Sequence, residues 1–141
     1  MAWTSVSKIS VVLETGEQRT ATKDGDREHI GVVVTIQPTD DSGNPITDST
    51  VVVKEAVKLI DYVDESTIKD SKQKGWYCTD FKGFSPKPSG GFQGSWQVYH
   101  SSGDDVHAKS IGVMVTTASG ATFYSSLGGT FHSSVLIALR E

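Results

Sequence analysis

The chain is short of almost everything that would declare a chemistry. It carries one cysteine, Cys78, so no internal disulfide can form. Cys78 sits in "GWYCTDF", among strand-like residues and with no acid–base partner close in sequence, which marks it as a small buried apolar residue rather than a nucleophile. Basic charge is scarce too: 13 Lys and Arg face 17 Asp and Glu, for a formal net charge of −4. The densest basic run, Lys69 to Lys74, is broken by Asp70 and reads as a solvated loop. No stripe of positive charge is available to follow a phosphate backbone, so a nucleic-acid partner is not expected. Apolar runs last only a few residues, which argues against a helical transmembrane segment. The opening "MAWTSVSKIS" lacks the charged and then apolar regions of a signal peptide. Synthesis in a reducing cytoplasm is expected, with any later release by lysis or a leaderless route.

Catalytic signatures are missing as well. There is no G-x-S-x-G elbow, no glycine-rich phosphate loop opening a helix and no cysteine pair for zinc or redox work. Ser and Thr are so abundant that a Ser-His-Asp trio could be drawn from many positions, but a triad is a matter of geometry. The expectation is a protein that is not an enzyme, with no catalytic residue, no metal and no cofactor.

What is present is β structure. At 141 residues the whole chain, 1–141, has the size of one domain, enough to bury about 68–70% of its unfolded surface. In "KISVVLE", Ile9, Val11 and Leu13 alternate with Ser10 and Val12, and in "IGVVVTIQ" Ile30, Val32, Val34 and Ile36 share one face, the period of half-buried strands. "PTDDSGNPIT" follows with Pro38, Asp40, Asp41, Gly43, Asn44 and Pro45, turn chemistry throughout. "STVVVKEAVKLIDYV" has both periods. Its β-branched valines resist a helix, so at most one helical turn near residues 49–55 and a strand over 56–63 are expected. Further strands are predicted at 75–81, 95–101, 107–117, 121–126 and 130–139, the last with Phe131, Ser133, Val135, Ile137 and Leu139 on one side. About eight strands and no long helix predict an all-β, antiparallel β-sandwich.

The phrase "GVVVTIQPTDDSGNPI", from Gly31 to Ile46, resembles the strand-turn segment of bacterial immunoglobulin-like domains, in which a β-branched strand runs into Asp-x-x-Gly-Asn-Pro. The resemblance implies a sandwich and no activity.

Two polar clusters invite a metal. "KDGDREH" brings Asp24, Asp26, Glu28 and His29 together, but Lys23 and Arg27 interrupt the acidic ladder that calcium needs, and its Asp-Gly pair reads as a hairpin turn. "HSSGDDVH" sets His100 and His107 around Asp104 and Asp105, a spacing that matches no familiar zinc motif. It reads as a strand-connecting turn whose carboxylates could accept hydrogen bonds from sugar hydroxyls.

Aromatic residues are concentrated. Seven of the twelve lie between Gly75 and His100: Trp76, Tyr77, Phe81, Phe84, Phe92, Trp96 and Tyr99. Trp76, Tyr77, Trp96 and Tyr99 fall on predicted strands, as core or sheet-face residues. Phe84 and Phe92 fall in "KGFSPKPSGGFQGS", Lys82 to Ser95, whose glycines and prolines predict a long irregular connection. Loops of that length are usually functional or disordered, and the alternative to an exposed recognition loop is an Ω-like loop packed by its own rings. The expected function is a non-catalytic protein that binds a glycan or other cell-surface ligand through this loop, with Trp76, Phe84, Phe92, Gln93, Trp96, Asp104 and Asp105 as ligand-binding residues. Two alternatives stand beside it. One is a self-assembling structural subunit, such as a phage-particle or inclusion protein, forming a homo-oligomer through the same rings. The other is a toxin subunit in which "ASGATFYSSLGGTFHSSVLI" forms a membrane-seeking hairpin around Gly128 and Gly129.

Overall fold

Alternation along the first strand sets the architecture. In β1 (Ser5–Leu13) Val6, Ile9, Val11 and Leu13 are buried, and the odd spacing of Val6 and Ile9 is absorbed by an irregularity between Val6 and Lys8 that restores the inward phase. The computed structural model describes residues 3–22, 28–46, 56–70, 73–87, 90–101 and 107–139. After β1 come β2 (Arg19–Thr22), β3 (Ile30–Thr39), β4 (Val57–Asp61), β5 (Gly75–Pro86), β6 (Phe92–Ser101), β7 (Ala108–Thr116), β8 (Thr122–Ser125) and β9 (Val135–Leu139). Nine strands among the described residues exceed the eight predicted. The extra one, β2, escapes sequence reading because "RTAT" has no apolar alternation and buries only Thr22.

The strands form two sheets, as an all-β sandwich requires. One runs in the order β1-β3-β6-β5, antiparallel throughout. The other runs β2-β9-β7-β4, with β8 also on β7 and a parallel β2–β9 pair. Val11, Val32, Val34, Ile36, Trp96 and Val98 from the first sheet meet Leu59, Ile111, Val113, Val115, Val135 and Ile137 from the second in one core. The turn predicted after β3 is there. The Asp40 carboxylate accepts from the Ser42 and Asn44 N–H groups, each at 2.9 Å, and Gly43 takes a φ of 81°.

Two expectations are corrected. The segment 82–95 is not a long loop, because β5 continues to Pro86 and β6 begins at Phe92. A short connection joins them, closed by bonds from Lys87 N–H to Gly91 O and from Gly90 N–H to Lys87 O, with positive φ at both glycines. The toxin-like hairpin is not formed either, since β8 and β9 both pair with β7 instead of with each other. β9 also starts at Val135, so Phe131 and Ser133 precede it. The candidate helical turn near 49–55 lies outside the described residues. No helix among the described residues is long and apolar enough to cross a membrane.

Candidate functional site

The predicted recognition rings turn inward. Phe92 is 1% exposed and belongs to the core with Trp76 and Trp96. Phe84 is half-buried, its ring 6.2 Å from Trp96 and 5.8 Å from Phe81, which itself lies 4.7 Å from Trp96. The cause is two irregularities in β5: Thr79 pairs with Gln97, Lys82 with Ser95 and Ser85 with Gln93, so three residues of β5 repeatedly face two of β6. Phe81 and Phe84, three apart, therefore share the inner face. Gly94 is part of the same packing, since a Cβ there would meet the Phe84 ring at 3.2 Å. Gly94, which looks like loop punctuation, makes room for a ring. Trp76 packs edge-on against buried His100, with ring centres 4.8 Å apart. Of the predicted ligand residues only Gln93 stands on the outer face. Asp104 and Asp105 lie outside the described residues, as do Asp24 and Asp26.

The outer face of the four-stranded sheet holds a different constellation. Gly31 pairs with Gln97, and Gln97 with Thr79, so these positions form one row across the sheet. Glu14, just past β1, bonds through its N–H to Gly31 O at 3.0 Å and adds the outermost place in the row. Because Gly31 has no side chain, the Glu14 side chain lies across it; a Cβ on Gly31 would stand 2.2 Å from Glu14 Cδ. Glu14 Oε1 is 3.5 Å from Gln97 Nε2. With its amide nitrogen toward the carboxylate, Gln97 turns its oxygen to His29, where Oε1 and Nδ1 are 2.6 Å apart. An amide oxygen only accepts, so Nδ1 carries a proton and donates it.

The adjoining row is aromatic. His29 precedes β3 and lies tilted against Tyr99, with ring centres 5.4 Å apart and planes at 43°, while Tyr99 stacks on Tyr77 at 5.3 Å with ring planes 7° apart. His29 and Glu14 are exposed, while Gln97 and Tyr99 are half-buried. Two neighbouring rows thus present an amide and a phenol on β6, with a carboxylate just past β1 and an imidazole just before β3 beside them. None of these was among the predicted ligand residues. The one sequence signal was Gly31 inside an otherwise β-branched strand, a sign that something approaches the backbone closely.

Elsewhere the polar groups are structural. Asp61 accepts from Lys109 Nζ at 2.8 Å and from the Val63 N–H at 2.8 Å, fixing the turn after β4. Burial alone would raise the Asp61 pKa, but the Lys109 bond and the Val63 and Asp64 N–H groups outweigh it and hold the carboxyl below its ordinary value. Among the described residues no three His, Cys, Asp or Glu stand close enough together to hold a metal ion. No family model, curated protein or solved structure matches the chain.

Proposed function

We propose that this chain is a non-catalytic binding protein that engages a glycan through the outer face of its four-stranded sheet. The observation that carries the reading is the Glu14–Gln97–His29 chain beside Tyr99, in which donors and acceptors are set in a row and open to solvent. Sugar hydroxyls both donate and accept, so a row of this kind can bond to several at once. Rigid strands lower the ordering cost of binding, because the side chains are already placed. The rings stack on one another sideways, so recognition here rests on polar groups more than on an open aromatic face.

The test is a glycan array followed by titration of the best ligand against Gln97→Ala and His29→Ala. Both variants should lose at least about tenfold in affinity and melt within a few degrees of the parent, because exposed and half-exposed substitutions usually cost about 0.5 kcal/mol or less. An array with no bound glycan, or variants that bind as the parent does, removes the reading. The immunoglobulin-like resemblance of Gly31 to Ile46 belongs to the same proposal as a scaffold and adds no ligand.

A second reading, a self-assembling structural subunit, has its own support. Val63 and Leu127 are 64% and 62% exposed, and their turns are joined by a bond from Leu127 N–H to Tyr62 O at 2.8 Å. Two large apolar side chains on linked turns are the kind of surface a second copy covers.

A further inference from the structure

We propose that the ligand carries a protonated amine, as a free amino sugar does, and that Glu14 receives it. The inference rests on the glycan reading above and names the chemistry within it. It begins with a charge that has no counterpart. Glu14 has no ion pair among the described residues, where the Asp61–Lys109 pair belongs to the other sheet. Lys82 does stand on the outer face, opposite Ser95, but on the far strand, about 14 Å away at ordinary strand spacing.

An exposed carboxylate ordinarily samples many positions, and that freedom must be lost when it grips a ligand. Glu14 is held. Its backbone is bonded to β3, its side chain fills the place that any residue but glycine at position 31 would occupy, and one oxygen faces the Gln97 amide. Its carboxylate suits an ammonium. Ammonium N–H donors need acceptors, and the two oxygens of the exposed Glu14 carboxylate supply them. Acidic sugars meet the opposite conditions: Glu14 repels them, and the chain as a whole carries −4.

Titrations with oligomers of glucosamine, of N-acetylglucosamine and of galacturonate test this. The glucosamine oligomer should bind at least about tenfold more tightly than the acetylated one, a difference of about 1.4 kcal/mol. Galacturonate should not bind. Raising the salt from about 0.02 to about 0.5 M should weaken the glucosamine complex and leave the acetylated one unchanged. Glu14→Gln should bring the two affinities together. Gly31→Ala should do the same by displacing the carboxylate without removing its charge, and circular dichroism of both variants checks that the sheet is intact. Equal affinities for the amine and acetylated oligomers in the parent protein, or a preference that survives Glu14→Gln, overturn the inference and leave the glycan reading standing. Binding of none of the three, together with an empty glycan array, overturns both.

Discussion

Thr22 shows how local the energetics can be. It is fully buried at the end of β2, and its Oγ1 meets no hydrogen-bond partner. A buried hydroxyl left unpaired has lost its water and gained nothing, so Thr22→Val, which keeps the shape, should stabilise the fold by about 1 kcal/mol. A melting temperature higher by about 3 °C is the expected result. Phe92 is the opposite case. Its ring is wholly inside, so Phe92→Ala should cost about 3–5 kcal/mol and lower the melting temperature by more than about 10 °C. An unchanged melt would return Phe92 to the surface. Asp61 gives a pH dependence. Its folded pKa lies below the ordinary 3.8, so its contribution to stability is present above that value and fades as the pH falls below it, through the folded pKa. Lys109→Met should therefore destabilise at neutral pH, and the gap to the parent should close in melts taken at successively lower pH below 3.8.

Among the elements, β7 has the tightest neighbour. A Cβ on Gly112 would stand 2.0 Å from Ser125 O, in the strand that pairs with the second half of β7. Gly112→Ala should force β8 away and cost more than about 2 kcal/mol, read as a shift in the denaturation midpoint. How much of this was legible varied from strand to strand for physical reasons. β3 alternates cleanly and is legible to within two residues of its limits, whereas β1 is legible only from Lys8, because its irregularity between Val6 and Lys8 breaks the alternation before that point. β6 alternates just as strictly between Phe92 and His100, but Gly94 occupies an inward place where an apolar residue would have revealed the period. β5 hides its phase differently: its irregular pairing turns a spacing of three, which resembles no strand, into a common face for Phe81 and Phe84. The outer-face site was invisible for another reason. Glu14, Gln97 and His29 meet across separations of 83 and 68 residues, so only the register of three strands brings them together.

At the scale of the whole molecule, the exposed strand edges are guarded. Ser133 bonds through its hydroxyl to both the N–H and the O of Val11, covering the outer edge of β1. The segment after β4 folds back on it, with Ile68 N–H bonded to Leu59 O at 2.9 Å. The irregularities of β5 spoil it as a flat template. Joining of sheets edge to edge is therefore disfavoured, and the binding reading expects a monomer at micromolar concentration by light scattering. A larger species that Val63→Ser and Leu127→Ser together dissociate would instead support the assembly reading.

The bond from Val11 to Ser133 spans 122 residues, and β2, the next strand in the chain, pairs with β9. The first strands of the chain are thus completed by the last. Such distant partners must find one another before the second sheet is complete, and the entropy of closing so large a loop is lost before any contact repays it. Refolding after dilution from denaturant should take milliseconds to seconds. During that interval, and throughout synthesis until Val135–Leu139 has emerged, β2 remains without its strand partner and the outer edge of β1 without Ser133, and the nascent chain depends on dilution or chaperones to keep those edges apart.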